Sequence, residues 1–147
     1  MMRTDMIFNN IKVVYILVLL LFGGCQENNG LPEQGCQSLV IDKLLFLSSQ
    51  RDNFEFEEIN LVGDCLEVTI RYAGGCGDIQ TSMIDSGDIE KLPQTRRQLR
   101  LILDDNDPCE ASITKSLSFD LVEIQVPEVK EIYLNISGWP TPVLYKY

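Results

Sequence analysis

Apolar and polar residues alternate along much of this chain, and this period of two is the feature that most constrains its fold. The segment from Leu66 to Tyr72 alternates without an error, as a strand with one buried face does. Similar short segments recur between Gly, Pro, Asp and Asn turns. No stretch shows a sustained helical period with caps, since Pro93 interrupts the best helical segment, 86–97. The sequence therefore predicts an all-β fold.

Seven or eight short strands can be placed in residues 38–147. In one of them, Phe54–Val62, the apolar phase shifts at Glu57 and Glu58, which predicts a β-bulge. Strands of this number and length are typical of an antiparallel β-sandwich or a small barrel. The predicted strands are Leu39–Leu47, Phe54–Val62, Leu66–Tyr72, Ile79–Ile84, Arg97–Leu103, Ser116–Glu123, Lys130–Ser137 and Val143–Tyr145.

The composition excludes several classes of function. The chain has 147 residues, a formal net charge of −10 and no histidine. Without histidine there can be no Ser-His-Asp triad, no Cys-His pair and no His-ligated zinc or haem. The acidic excess argues against nucleic-acid binding, which needs clustered Lys and Arg. The sequence predicts no cofactor.

The N-terminus has the pattern of an export signal. A basic segment precedes an unbroken apolar run, Val13–Phe22, which is followed by Gly23 and Gly24. A helix that crosses a bilayer needs about 20 apolar residues, roughly twice the length of this run. A basic start, a short apolar run and small residues before a cleavage site are typical of a secretory signal peptide, here residues 1–24.

The end of this signal, Leu21-Phe22-Gly23-Gly24-Cys25, resembles the lipobox of bacterial lipoproteins. The resemblance implies cleavage before Cys25, a diacylglycerol on its thiol and a fatty acyl group, such as palmitate, on its new amino group. Gln26 replaces the aspartate of the inner-membrane retention signal, which favours the outer membrane of a Gram-negative bacterium, with the domain facing the periplasm or the cell surface. Residues 25–37 are predicted to be the lipidated N-terminus and a flexible tether, and residues 38–147 a single all-β domain.

Four further cysteines in an exported chain predict two disulfides. The strand between Cys65 and Cys76 covers about 23 Å, and the four residues after it return at most about 14 Å. The remainder exceeds the ~7 Å allowed between the α-carbons of a disulfide, so this pair is disfavoured. If successive strands alternate in direction, Cys36 and Cys65 lie at one end of the fold and Cys76 and Cys109 at the other. The predicted disulfides are therefore Cys36–Cys65 and Cys76–Cys109.

Two sets of side chains are weak candidates for binding. An aromatic set could stack on sugars, with packing in the core as the alternative. An acidic turn could supply oxygen ligands to calcium, although its spacing departs from the EF-hand and a solvated turn is the alternative. The aromatic set is Tyr72, Trp139, Tyr145 and Tyr147, and the acidic turn contains Asp104, Asp105 and Asp107.

A basic cluster and a glycine-rich loop are two further features. Arg96, Arg97 and Arg100 are predicted to face solvent at the start of a strand, with an anion site as the alternative. Cys76 could present a nucleophilic thiol, but the chain has no histidine to act as its base, which favours the disulfide. No catalytic constellation can be named from these residues.

The sequence therefore predicts a lipid-anchored envelope protein that acts as a non-catalytic binding or accessory module for a protein or a glycan. A structural envelope protein without a ligand, a hydrolase that uses only carboxylates and a protease-inhibitor-like domain remain as alternatives. Carboxylates that converge in a deep cleft would favour the hydrolase, and a flat aromatic face would favour the module. The Gly-Gly-Cys and Asp-x-Cys segments resemble those of small secreted lipoproteins of unknown function, which implies no activity.

Overall fold

The structure, a computed structural model, describes residues 35–49, 53–91, 93–104 and 108–147. These residues form two packed sheets, with strand orders β1-β7-β4-β3 and β2-β5-β6-β8-β9. The predicted sandwich is confirmed, and its sheets do not close into a barrel. The predicted signal peptide, Cys25 and most of the tether lie outside the described residues. The strands are β1 Gln37–Ser38, β2 Val40–Ile41, β3 Phe54–Val62, β4 Cys65–Gly74, β5 Gln80–Asp85, β6 Arg96–Asp104, β7 Ala111–Asp120, β8 Glu131–Ile136 and β9 Val143–Lys146.

The inner faces of the two sheets supply one hydrophobic core. Alternate side chains of β4, β6, β7 and β8 are buried, as the period of two requires. Each fully buried aliphatic side chain stabilises the fold by about 1.5–3 kcal/mol relative to an exposed one. The core side chains of these four strands include Leu66, Val68, Ile70, Leu99, Leu101, Leu103, Leu117, Phe119, Ile132, Leu134 and Ile136.

Three strand pairs are parallel, whereas the sequence predicts an antiparallel sandwich. They are the pairs β1 with β7, β2 with β5, and β6 with β8. The chain leaves the five-stranded sheet after β6, adds β7 to the other sheet and returns to place β8 beside β6. Alternation of side chains does not depend on strand direction, so the predicted buried positions hold while the predicted pairing sense is wrong for these pairs.

The segment Leu39–Leu47 is not one continuous strand, contrary to the prediction. Its residues form β2 and then a helix, α1, at Lys43–Ser48. The Oδ1 atom of Asp42 accepts a hydrogen bond from the Leu45 N–H at 2.8 Å, which caps the first turn. An apolar run this short has no period that distinguishes a strand from a helix. Asp42 before the run, a residue type typical of a helix N-cap, is the feature of the sequence that indicates a helix.

A side chain of the neighbouring sheet holds the other end of α1. The Nη1 atom of Arg100, on β6, donates to the carbonyl oxygens of Phe46 and Ser49 at 2.7 and 2.6 Å. Its guanidinium also lies 4.6 Å from the centre of the Phe46 ring. A six-residue helix is not stable alone, so these contacts are what fix it.

Smaller features agree with the sequence or shift by a few residues. The predicted bulge in β3 is present between Phe56 and Glu58. β7 begins at Ala111 and ends at Asp120, earlier than predicted, and a 3₁₀ helix follows at Val122–Ile124. β1 already includes Gln37, which the sequence places in the tether. No helix of the described residues is long and apolar enough to span a membrane.

The two disulfides join the cysteines that the sequence pairs. Cys36 is bonded to Cys65 and Cys76 to Cys109, with α-carbons 5.9 and 5.7 Å apart. Cys65 begins β4 and Cys76 follows its end, so the two bonds lie at opposite ends of one strand. The Cys36–Cys65 bond fixes β1, which contacts its neighbour β7 over only two residues.

Candidate binding surfaces

Arg97 is buried, contrary to the prediction that the basic cluster faces solvent. Its Nε and Nη2 atoms donate to the two carboxylate oxygens of Asp85 at 3.0 and 2.8 Å. The side chains are only 6% and 0% exposed. Arg97 shares the inward phase of Leu99 and Leu101, and this alternation in the sequence already indicates that its side chain is buried. This pair is structural, because both partners are removed from solvent.

The other two arginines of the cluster also have structural contacts. Arg100 holds the end of α1, as described above. Arg96 is half-buried, and its guanidinium lies 6.0 Å from the centre of the Tyr133 ring. The three side chains therefore do not converge, and the alternative of an anion site at this cluster is not supported.

The aromatic candidates are packed into the domain instead of forming a platform for sugars. Tyr72 and Tyr145 are only 8% and 0% exposed. Trp139 packs against the core, with its ring edge-on to Phe56 at 6.1 Å. Tyr147 packs beside Tyr145 with 5.0 Å between ring centres. A sugar stacks on an exposed ring face, which Tyr72 and Tyr145 lack, whereas Trp139 and Tyr147 are half-buried against the core.

A hydrogen-bonded cluster joins the two sheets at one end of the sandwich. The Tyr145 hydroxyl on β9 donates to Asp64, in the β3–β4 turn, at 2.6 Å. Gln125 donates to the same hydroxyl at 2.7 Å. Burial and, next, the hydrogen bond to Asp64 raise the pKa of Tyr145 to about 12, although the hydrogen bond from Gln125 lowers it. The neutral phenol is therefore the form that the fold stabilises.

Replacing Tyr145 with phenylalanine should change how stability depends on alkaline pH. The phenol has a pKa of about 12 when folded against 10.0 unfolded, so stability is complete below pH 10 and falls as the pH rises through 12. The wild type should lose about 1 kcal/mol by pH 11 from this group alone. Tyr145→Phe should cost about 1–2 kcal/mol at neutral pH but lack this alkaline loss.

Urea denaturation at pH 8, 10 and 11 measures this difference. Tyr133→Phe is the matched control, since the Tyr133 hydroxyl only accepts a hydrogen bond from Gln94 at an exposed site. That variant should follow the wild-type curve. An alkaline loss in Tyr145→Phe as large as in the wild type would show that other groups cause it.

The outer side of the four-stranded sheet is a solvent-exposed polar surface, which we call the acidic face. It is formed by alternate residues of β3, β4 and β7, opposite to those that enter the core. β3 and β4 contribute four glutamates and one arginine, Arg71, to this side of the sheet, so the surface carries a negative charge. Its residues are Glu55, Glu57, Glu58, Asn60, Glu67, Thr69, Arg71, Ala73, Ser112, Thr114, Ser116 and Ser118.

Arg71 organises one half of the acidic face. Its guanidinium forms ion pairs with Glu55 and Glu57, at 2.5 and 3.6 Å. The hydrogen bond with Glu55, followed by the charges of both glutamates, raises the pKa of Arg71. A shallow depression of about 730 Å³ lies here, and its walls include Glu110 and Ser112. The depression is open to solvent and Glu55 in its wall is ion-paired with Arg71, so it is not a deep cleft in which two carboxylates converge.

The outer side of the five-stranded sheet carries exposed apolar side chains of β2 and α1, which we call the apolar patch: Val40, Leu44, Leu45 and Leu47. Leu44 and Leu47 are 79% and 68% exposed, and α1 has no buried residue. The helix lies on the outer face of the five-stranded sheet, where it covers Ile84. The sequence predicts a strand over Leu39–Leu47 and therefore gives no indication of this surface.

The structure describes one of the three aspartates of the predicted calcium site. Asp104 is the last residue of β6, while Asp105 and Asp107 lie outside the described residues. Within the described ranges, no group of three or more His, Cys, Asp or Glu side chains is placed to hold a metal ion. Calcium binding by this turn stays a prediction.

Comparison with known proteins identifies the fold but no family. No protein-family model matches the chain, and no curated protein matches it. A protein of unknown function, DUF1344, from Bacteroides vulgatus ATCC 8482 has a similar structure, with a TM-score of 0.54 and 14% identity. A NigD-like immunity protein from Bacteroides caccae ATCC 43185 also has a TM-score of 0.54, with 13% identity.

The two matches cover 76% and 75% of this chain, but only 56% and 58% of the two solved chains. The present chain therefore spans little more than half of each structure it resembles. At these identities the likeness shows a shared fold and nothing finer.

Proposed function

We propose that this chain is a lipid-anchored protein of a Gram-negative envelope that binds another protein and catalyses no reaction. The acidic face carries the proposal. It spans three paired strands and most of its side chains are exposed, while Gly35, Gln37 and Lys115 border it beside Glu58 and Glu67. Two of its glutamates, Glu58 and Glu67, have no ion-pair partner among the described residues. A flat charged surface of this kind complements a basic surface on a partner protein.

Two observations favour a protein over a glycan as the ligand. The aromatic side chains that could stack on a sugar are buried in the core or packed against it. One of the solved structures with a similar fold is described as a NigD-like immunity protein, which is consistent with a protein partner. The lipobox-like segment at Leu21–Cys25 supports the anchor, since it implies acylation of Cys25. Two or more acyl chains hold a protein stably on a bilayer.

Purification from the native membrane followed by mass measurement tests both parts of the proposal. The denatured mass should equal residues 25–147 plus acyl chains, less the hydrogens lost in forming the disulfides. The native mass should exceed it by one protein partner. A precursor mass without acyl chains would contradict the anchor, and a native mass without any partner would contradict the binding role.

Neutralising the acidic face should slow association with that partner. Glu58→Gln with Glu67→Gln should lower the association rate by about tenfold at low salt and less at high salt, because steering by charge is screened. Glu123→Gln with Glu128→Gln makes the same change in net charge away from this face and is the control. Equal losses in both double variants would show that only the total charge matters.

A further inference from the structure

The strand β3 is an edge of the four-stranded sheet, with β4 on one side and no described strand on the other. It is 9 residues long, whereas the other edge strands, β1, β2 and β9, have only 2, 2 and 4 residues. A long edge presents a row of unpaired N–H and C=O groups, which is a template for a further strand. Among the described strands, β3 is therefore the edge best able to accept one.

The regular part of this edge is Glu58–Val62, after the bulge, and we call it the free edge. It pairs with β4 residue by residue as far as a two-residue turn, which Val62 and Cys65 flank. Hydrogen-bonded and non-hydrogen-bonded pairs alternate along an antiparallel ladder, and the pair that closes such a turn is hydrogen-bonded. The N–H and C=O groups of Ile59 and Leu61 therefore point away from β4. Neither residue has a backbone hydrogen bond to another described segment.

The side chains of the free edge define two different environments. Glu58 and Asn60 are exposed on the acidic face. Ile59 and Leu61 point to the other side, where they are half-buried and pack against the hydrophobic core. Because successive side chains of a strand alternate between the faces of a sheet, an added strand would place every second side chain beside Glu58 and the others beside the two apolar residues. Apolar side chains in the second position would complete the burial of this edge of the core.

The charge of β3 selects which strand can be added. β3 contains three glutamates and no lysine or arginine. A second copy of β3 would place like charges side by side, and such pairs are destabilising, whereas pairs of opposite charge stabilise a sheet. Glu58 has no ion-pair partner among the described residues, so it is available to a cation. These charges favour a basic strand from another protein over a second copy of this chain.

We infer that the free edge accepts an extended segment of the partner protein, in which basic and apolar residues alternate, as an additional antiparallel strand. The inference rests on the protein partner of the proposed function. The backbone groups of Ile59 and Leu61 bond to the segment, its basic side chains lie beside Glu58, and its apolar side chains cover the edge of the core. The bulge before Glu58 ends the regular pairing, which limits the length of the segment.

Binding of synthetic peptides to the full chain tests the inference. The probe is a capped heptapeptide in which lysine and valine alternate. Two matched peptides have the same side chains and charge, but one carries N-methyl groups on its valines and the other on its lysines. In the antiparallel register the valine N–H groups face β3, so valine methylation should weaken binding about tenfold or more, and lysine methylation should have little effect. A heptapeptide of alternating glutamate and valine should not bind. Titration calorimetry at low salt measures the four affinities.

Amide hydrogen exchange, measured residue by residue, locates the bound peptide. Without peptide, the amides of Ile59 and Leu61 should exchange rapidly, while that of Asn60, which is bonded to β4, should be protected. At saturation with the unmethylated peptide, exchange at Ile59 and Leu61 should slow about tenfold or more, because both amides then donate to the added strand. Asn60 is the internal control, since its protection does not depend on the peptide.

The outcomes separate this inference from the proposed function. Binding that slows neither amide, or equal losses for the two methylated peptides, would overturn docking at the edge and leave a partner on the acidic face. Protection of Ile59 and Leu61 before any peptide is added would mean that another segment of the chain already pairs with the free edge, and would also overturn the inference. If none of the peptides binds, the inference is wrong, while the native mass still decides whether the chain has a protein partner.

Discussion

Replacing Asp85 with asparagine should lower the free energy of unfolding by about 3–5 kcal/mol, because it leaves the charge of Arg97 buried without a partner. The two side chains are bonded through both carboxylate oxygens and are almost completely removed from solvent. Asp85 also accepts a hydrogen bond from the Gly87 N–H at 2.6 Å. The uncharged oxygen of asparagine accepts this hydrogen bond more weakly. Urea denaturation at neutral pH measures the change.

Two further variants define what this loss means. Asp88→Asn breaks the exposed pair with Lys43, whose side chains are more than half exposed, and should cost no more than about 1 kcal/mol. Asp85→Leu combined with Arg97→Met removes both charges and should recover most of the stability, since an apolar pair of similar volume often replaces a buried ion pair without loss. A cost for Asp85→Asn as small as that for Asp88→Asn would show that water reaches the pair.

Removing the Cys36–Cys65 disulfide, by Cys36→Ala with Cys65→Ala, should cost about 3–4 kcal/mol in the chain-entropy model. The bond closes a loop with a sequence separation of 29 residues, and it fixes β1 against the sheet. The Cys76–Cys109 bond, with a separation of 33, should contribute a similar amount. Together they approach the total stability of many small domains, about 5–15 kcal/mol.

Reduction of both bonds should therefore unfold most of the protein at 37 °C. Circular dichroism against urea, with and without dithiothreitol, measures this loss, and the Cys-to-Ala pairs assign it to each bond. The Cys36–Cys65 variant in dithiothreitol should equal the fully reduced wild type. A reduced wild type that keeps its midpoint would show that the hydrophobic core is sufficient without either bond.

Much of the fold follows from local patterns in the sequence. The error-free alternation around Val68 gives β4 and its buried face, and the phase change at Glu57 gives the bulge in β3. The length of a strand excluded Cys65–Cys76, and the assumed alternation of successive strands then selected the two pairs that the structure has. Predictions of this kind succeed where the constraint acts within one strand and its turns.

The candidate surfaces were less accessible from the sequence. Tyr145 and Tyr72 have aromatic rings that suit either a binding face or the core, and only burial against the opposite sheet assigns them to the core. α1 was missed because its apolar residues fit a strand equally well, and its stability comes from Arg100 on a strand more than 50 residues away. No local pattern contains that contact.

The sequence by itself determined the all-β class and the alternating core, since both depend on spacing along the chain, and it gave the two disulfides once successive strands were assumed to alternate in direction. The tertiary structure decided which strands run parallel, which charges are buried and which apolar side chains stay outside. Asp85 and Arg97 meet, and Leu44 and Leu47 remain exposed, because of how distant segments pack. Such pairings depend on the competition among all the segments for the core, a balance that a local pattern does not contain.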